Sequence, residues 1–223
     1  MTFNVNYFVG ALGDLAKYIP LTFCLALMAM IFSIVFGIAL NFFLSLNKRW
    51  LTWLIKVYTS FFRGTPLLVQ LFILYFGVPE IFPEFKGVGP IIVAIIGLSL
   101  NNIAFVSEII RGGVFSIDKT QVEAAQSLNM SSWDIFDVIV APQVTRIILP
   151  SLINNFIGLI KGTTLTFTIG VTELMARSQE QAALSFKYLE QYLAVAMLYW
   201  LIAIVIEIFQ LTYERFSSAA YIN

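Results

Sequence analysis

Between Lys17 and Lys48 the chain has not one charged side chain. A helix needs about 20 consecutive apolar residues to cross the hydrocarbon of a bilayer, and this run is long enough to predict a spanning helix over roughly 18–46. The rest of the chain agrees. Of its 223 residues 59% are hydrophobic and only 12% charged, with a mean hydropathy of +0.87, whereas soluble domains carry about 25% charged residues. The expectation is an all-α integral membrane protein. The 13 basic and 13 acidic residues cancel, so nucleic acid is excluded as a partner. There is no histidine and one cysteine, Cys24, inside an apolar run. That excludes disulfides, most zinc sites and a histidine-based catalytic triad, and no metal site is expected. The opening stretch "MTFNVNYFVGALGDLAKYIP" lacks a basic region and a small-residue cleavage site, so the first apolar segment is expected to stay as an anchor.

Four more spans follow, and the whole of 1–223 reads as one membrane domain. The third, over 88–110, is the uncharged run between Lys86 and Glu108. The fourth covers about 147–171 and the fifth 192–213. The second, over 57–79, is less regular. Lys56 and Arg63 make its first half amphipathic, and Gly64 with Pro66 predicts a break, because proline cannot donate to the helix ladder. Lys48, Arg49, Lys56, Arg111, Lys119, Arg146 and Arg215 fall on one side of this arrangement. The other side holds Lys17, Lys86, Arg177 and Lys187, mixed with Asp14, Glu80, Glu84, Glu173, Glu180 and Glu190. The positive-inside rule puts the N-terminus outside and the C-terminus inside. No internal repeat or low-complexity tract is visible. Tyr18, Trp50, Trp53, Tyr192 and Trp200, near span ends, read as interface anchors. The outer segment "ELMARSQEQAALSFKYLE" is long enough for a short surface helix.

The cytoplasmic loop, 118–146, is amphipathic in a chain that otherwise seeks lipid. Asp118 is placed to cap a first helix, "KTQVEAAQSL", rich in helix formers. Asn129 stands where a left-handed residue would end it. Ser131, with Asp134 three residues on, makes a capping-box-like start for a second helix. Pro142 is expected to end that helix, and Pro150 to precede the fourth span. Loops longer than about 12–15 residues tend to be functional or disordered, and caps argue against disorder. The loop reads as a rigid cytoplasmic docking element bearing Glu123, Trp133 and Phe136.

"EAAQSLNMSSWDIFDVIVAPQVTRIILP" resembles the EAA signature of ABC importer membrane subunits. "FFRGTPLLVQLFILYFGVP", "AFVSEIIRGGVFSI" and "LIKGTTLTFTIGVTEL" are similar, in order, to the branch of that family that takes up polar amino acids. The resemblance implies a type I ABC importer permease fold in the cytoplasmic membrane of a bacterium. It implies a second permease copy, identical or a close paralogue, a pair of cytoplasmic ABC ATPases and an extracytoplasmic substrate-binding protein. Glu123, Ala124, Ala125, Leu128, Asn129, Trp133, Phe136, Pro142 and Pro150 are then the ATPase-coupling residues. ATP and magnesium would be bound by the partner ATPase, since this chain has no phosphate loop and needs no cofactor of its own. Asn129 replaces the family's usual glycine, which a left-handed cap accommodates. Gly162 follows Lys161 where an acidic residue is common, which alters the charge pattern there.

Polar groups at membrane depth are costly and default to functional candidates. Gln70, Asn101, Asn102, Thr163, Thr164, Thr166 and Thr168 offer donors and acceptors suited to an amino acid's two charged ends. Interhelical bonding, or hydroxyls bonding back to their own helix, is the plain structural alternative. Lys161 falls about fourteen residues into the fourth span, ~20 Å along the helix, and is expected to face the interior and pair with Glu108, Glu207 or a substrate carboxylate. Arg63, Gly64 and Pro66, with Arg111 and Gly112, are gate or hinge candidates, although snorkelling explains the arginines equally well. Cystine and glutamine are both reasonable substrates. The rival readings are an ATP-independent secondary amino acid transporter, a membrane enzyme and a non-transporting scaffold. Five spans do not divide into the inverted halves common among secondary carriers, and no convergent catalytic cluster is present.

Overall fold

The computed structural model describes residues 3–219, with side chains to residue 214. The charge of Arg215, counted above on the inner side, belongs to a side chain outside the described ones. Every regular element among the described residues is helical. Four helices are long and apolar enough to cross a membrane, and a bent pair of helices is the fifth candidate. Valine, isoleucine and phenylalanine cover much of the outward surface, including Val35, Phe36, Ile38, Val205 and Phe209. That is an ordinary surface in lipid, where exposed apolar side chains carry no penalty.

The first element was not expected. α1, Val5–Ala16, is capped by Asn4, whose side chain accepts from the Tyr7 amide at 2.9 Å. Its Ala11 and Leu15 are buried against Leu174, Ala194, Val195 and Leu198. α2, Ile19–Ser45, follows with Pro20 in its first turn, where a missing N–H costs nothing. It packs mainly on α5, Pro90–Phe115. The seam on α2 is Ala29, Ser33, Gly37 and Asn41, small or polar residues four apart. Gly37 is required there, because a Cβ would meet Val106 Cγ1 at 3.0 Å and the Ser107 amide nitrogen at 3.3 Å. Close approach lets Asn41 Nδ2 donate to the Ser107 carbonyl at 2.9 Å and brings Ser33 Oγ to 3.4 Å from the Ser99 carbonyl. Without a hydrophobic drive between helices in lipid, such close packing and hydrogen bonding hold helices together.

The second crossing is two helices, α3 (Arg49–Gly64) and α4 (Leu67–Ile81), bent by 108°. The break falls at Thr65–Pro66, as the Gly64–Pro66 signal predicts, but the bend is too sharp for a single kinked span over 57–79. α4 contains a π-helical turn at Ile73–Gly77 and lies against α5 where Gly97 makes room for it; a Cβ there would be 2.6 Å from Leu71 Cδ2. The third crossing is α5 itself, which runs five residues past the expected inner limit at 110: it reaches Phe115 and so carries Glu108 and Arg111 within the helix.

After α6, Lys119–Ser127, the structure departs from expectation. Pro142 does not end the second loop helix, and Pro150 does not precede the fourth span. Both lie inside one helical run, α7, from Ser132 to Ile169. Ile135–Val140 is π-helical, and the Ala141 amide donates five residues back to Phe136. That wider turn lets the chain pass Pro142, which has no N–H to give. Residues Thr163–Ile169 tighten into a 3-10 helix that ends at Gly170. α8, Leu174–Ser185, and α9, Tyr188–Ala219, complete the chain. α8 is no free surface helix, since Leu174, Ala176, Ser178 and Ala182 are buried. The main core lies where α2, α4, α5 and α7 meet, around Leu25, Leu71, Leu98 and Val106.

If Gly37 sets the α2–α5 approach, Gly37→Leu is expected to lower stability in detergent by about 1–3 kcal/mol, the usual cost of overpacking. Gly10→Leu, where a Cβ meets nothing within 4 Å, is the control. Equal melting temperatures for the two variants would refute the role given to Gly37.

Candidate functional site

The cytoplasmic loop is a built knob. Asp118 caps α6, accepting from the Thr120 amide at 2.9 Å, and these bonds from the Thr120 backbone and side chain hold its carboxyl below the usual range. Asn129 takes φ +57°, the left-handed geometry read from its position. The Met130 amide then reaches back to the Ala125 carbonyl at 3.2 Å and closes the helix end. Ser131 accepts from the Asp134 amide, and its hydroxyl donates to the Asp134 carboxylate at 2.6 Å. Ala125 and Ile135 are buried against one another's elements, and Gln143 Nε2 donates to Gln121 Oε1 at 2.7 Å, tying α6 to α7. Apart from Pro150, half-buried within α7, what stays outside is the rest of the predicted coupling set. Glu123 and Ala124 are exposed, Leu128 is 77% and Trp133 71% exposed, and Phe136 lies beside Trp133 with ring centroids 5.9 Å apart. These exposed apolar groups therefore cluster on one short loop between spans.

In the spans, the structure gives most candidate polar groups internal work. Gln70 is 2% exposed. Its Nε2 donates to the Phe62 and Thr65 carbonyls, each at 3.1 Å, and its Oε1 accepts from Asn101 Nδ2 at 3.0 Å. Asn101 also donates to the Phe62 carbonyl at 2.9 Å. The two amides therefore serve carbonyls left unpaired by the α3–α4 break. Asn102 is buried with its Nδ2 3.7 Å from Met30 Sδ. Thr163, Thr164, Thr166 and Thr168 each donate to the carbonyl three residues back, at 2.7 Å. The back-bonding alternative describes all four threonines.

Glu108 is held by Arg111 and, at 3.8 Å, by Arg63. Arg63 also lies over the Phe105 ring, 5.9 Å from its centroid. The two arginines proposed as gate elements are thus joined through one carboxylate, which staples the end of α3 to α5 beside the break at Gly64 and Pro66. Gly112, next to Arg111, has open space where a Cβ would stand. This corrects the pairing expected for Lys161. Lys161 is exposed and, among the described residues, makes no ion pair with Glu108 or Glu207, which is exposed on α9. Its aliphatic stem lies near Tyr199, Ile202 and Ile206.

Lys161 is not alone on its face. Ser151, Asn154, Gly158 and Lys161 are all exposed along α7 at spacings of three and four residues, so they share one stripe. Asn154, Ser151 and Gly158 were missed by the sequence reading, although the spacing is there to be counted. A second omission is Glu173. Tallied among the outer surface charges, it is fully buried. It caps α8 by accepting from the Met175 amide at 2.8 Å and the Ala176 amide at 3.0 Å. Its other oxygen accepts from Tyr199 OH at 2.8 Å and Thr22 Oγ1 at 3.3 Å. One carboxyl thereby joins α2, α8 and α9. Burial pushes its pKa up, and the four hydrogen bonds oppose that shift.

The model of a family described as "Binding-protein-dependent transport system inner membrane component" matches residues 33–216. The chain is 40% identical over 223 residues, all of both chains, to the probable amino-acid ABC transporter permease protein PatM of Vibrio harveyi. It is 36% identical over 215 residues, 93% of this chain and 88% of the other, to the L-cystine transport system permease protein TcyL of Bacillus subtilis. Among solved structures, one of an amino acid ABC transporter with histidines superposes with a TM-score of 0.88 at 26% identity, covering 96% of this chain and 99% of that one.

Glu173→Ala leaves four donors without an acceptor and is expected to cost about 2–4 kcal/mol. Glu173→Gln keeps an acceptor for the cap and should cost less. Because burial raises the folded pKa above the unfolded one, the carboxyl's contribution is full below the unfolded pKa and is lost as pH rises through the folded value. Melting curves of wild type and Glu173→Gln should therefore diverge with pH, and parallel curves would remove that account.

Proposed function

The chain belongs to the family of binding-protein-dependent transport system inner membrane components, and from that premise we propose how its parts import an amino acid. An ABC permease subunit of this kind lies in the membrane, is not itself an enzyme, and works with an ATPase on a separate subunit. The finer reading is that the loop around Glu123 is the coupling element, that α7 carries its movement, and that the stripe on α7 borders the path. The N-terminus is placed outside and the C-terminus inside.

The observation that carries this reading is the continuity of α7. Trp133 and Phe136, on the knob, and Asn154 and Lys161, at membrane depth, stand on one helical run. From Trp133 to Lys161 the rise is about 40 Å, and no loop intervenes to absorb a displacement. ATPase closure against Leu128, Trp133 and Phe136 would tilt or shift the stripe as a body, which is the form of motion alternating access requires. Helix α6, fixed to α7 by Gln143 and Gln121, makes the contact surface part of the same lever.

The stripe also supports a paired assembly. A lysine facing hydrocarbon is costly, and Ser151, Asn154 and Gly158 beside it offer small, hydrogen-bonding surface to a second permease copy or to water between two copies. On this reading Lys161 is available to a substrate carboxylate because no acidic side chain among the described residues pairs with it. Gln70, Asn101 and the threonines keep the path's walls in shape rather than touching substrate. The substrate is taken as a polar L-amino acid, with cystine and glutamine the two leading choices, delivered by an extracytoplasmic binding protein.

Two expected outcomes test this. Purified with its ATPase, the Trp133→Ala, Phe136→Ala double variant should bind the ATPase more weakly, by roughly 2 kcal/mol or more if the pair forms a buried hot spot. Lys161→Met should keep the ATPase bound but abolish uptake into vesicles supplied with cystine or glutamine and the binding protein. Undiminished uptake would strike Lys161 from the path. ATP-independent uptake would instead favour a secondary carrier, and the amino acid that stimulates ATP hydrolysis identifies the substrate.

A further inference from the structure

The bend of the second crossing leaves a gap that the protein does not fill. Between α2, α3 and α5 lies a groove of about 420 Å³, within the ~300–1,000 Å³ of sites that hold small ligands. Phe36 and Phe43 of α2, Tyr58 of α3, and Ile96, Ser99 and Ile103 of α5 form its walls. Its two polar side chains are turned away from the space. Ser99 Oγ donates to the Ile95 carbonyl at 2.6 Å, and Tyr58 OH donates to the Leu100 carbonyl at 2.6 Å. The groove therefore offers carbon alone, and an apolar recess of this kind does not hold water. Phe36 and Phe43 remain about half exposed, so the groove opens on the surface that faces lipid.

Basic residues stand close in sequence to its lining. Lys48 and Arg49 follow Phe43 by one turn of helix and the short connection to α3, and Lys56 stands two residues before Tyr58. All three are exposed, and none makes an ion pair among the described residues. From residue 15 to residue 79 the sequence contains no aspartate or glutamate at all, so nothing nearby in the chain neutralises them. Trp50 and Trp53, 63% and 64% exposed, add the aromatic pair favoured at the headgroup level.

We propose that this groove is a binding site for an anionic phospholipid of the inner leaflet, with an acyl chain along Phe36, Ile96 and Ile103 and the phosphate among Lys48, Arg49 and Lys56. An acyl chain restores the dispersion contacts that the bend removes, and basic pockets between spanning helices suit anionic headgroups. The bound lipid splints α3 against α2 and α5 next to the Arg63–Glu108–Arg111 staple. A second copy of the chain is the poorer occupant, because a twofold contact at this face sets cation against cation. The site depends on the membrane-spanning fold and not on which amino acid is carried.

The test uses the tagged chain extracted with whatever ATPase accompanies it, delipidated, and placed in nanodiscs of phosphatidylcholine with or without phosphatidylglycerol. Native mass spectrometry counts retained lipid. Wild type is expected to retain phosphatidylglycerol over phosphatidylcholine, and each of Lys48→Ala, Arg49→Ala and Lys56→Ala to weaken that preference about fivefold. Ala39→Phe, which fills the groove, should lower retention of both lipids with the basic rim intact. Phe36→p-benzoylphenylalanine should photocrosslink to phospholipid. Unchanged lipid retention in the charge variants and in Ala39→Phe, or a crosslink from position 36 to a second copy, overturns the proposal. ATP hydrolysis measured on the same samples reports separately on the transporter reading, since its loss leaves lipid retention untouched.

Discussion

In hydrocarbon a backbone carbonyl without a partner costs several kcal/mol, which is why spanning segments are helices. This chain breaks its helices all the same, and each break is attended by a side chain that answers for the freed group. Gln70 and Asn101 serve the Phe62 and Thr65 carbonyls at the 108° bend. Four threonines return hydroxyls to the Ile160, Lys161, Thr163 and Leu165 carbonyls, across the change from α- to 3-10 helix that ends α7. Glu173 serves the first amides of α8. Polar residues that look like a transport path in the sequence are, in most cases, the means by which an irregular backbone survives in the membrane.

The same requirement separates what bends from what does not. α7 passes two prolines without a break, because a π-helical turn precedes Pro142 and Pro150 lies within regular helix. A kink at either would have disconnected the knob from the bundle. Instead the one sharp bend among the described spans lies between α3 and α4. The molecule thus has one long stiff element, reaching from Trp133 to Lys161, and one hinged element fastened by Glu108.

Much of this was written plainly in the sequence. Charge-free runs marked the spanning helices, because the cost of a charge in lipid is large. Asp118, Asn129 and Ser131 announced the caps of the knob, because capping is local chemistry. Where the reading failed, the deciding contacts were distant. Pro142 ends a helix unless a wider turn precedes it, and nothing local signals the π-helical turn. Glu173 looked like one more outer charge because Thr22 and Tyr199, its partners, are far away in the chain. α1 escaped notice because its apolar face is complete only against α8 and α9. Lys161 was matched to Glu108 by depth alone, whereas Arg63 and Arg111 reach that carboxylate first.

The unpaired charges then say what a single chain lacks. On the outer side Lys17 lies on Asp14 at 2.9 Å and Arg177 on Glu180 at 3.1 Å, so those cations add little to the orientation bias and the inner excess counts for more. Within the spans, Lys161 and Glu207 are both exposed without an ion partner among the described residues, although burying them together would have been possible in principle on adjoining helices. Neither is tolerable against lipid tails. A surface that is unsuitable for lipid and has been left unsatisfied by its own chain belongs against water or another polypeptide. On the proposed reading, in which two copies pair, the stripe on α7 is the surface of this chain that such a contact or a water-filled path would satisfy.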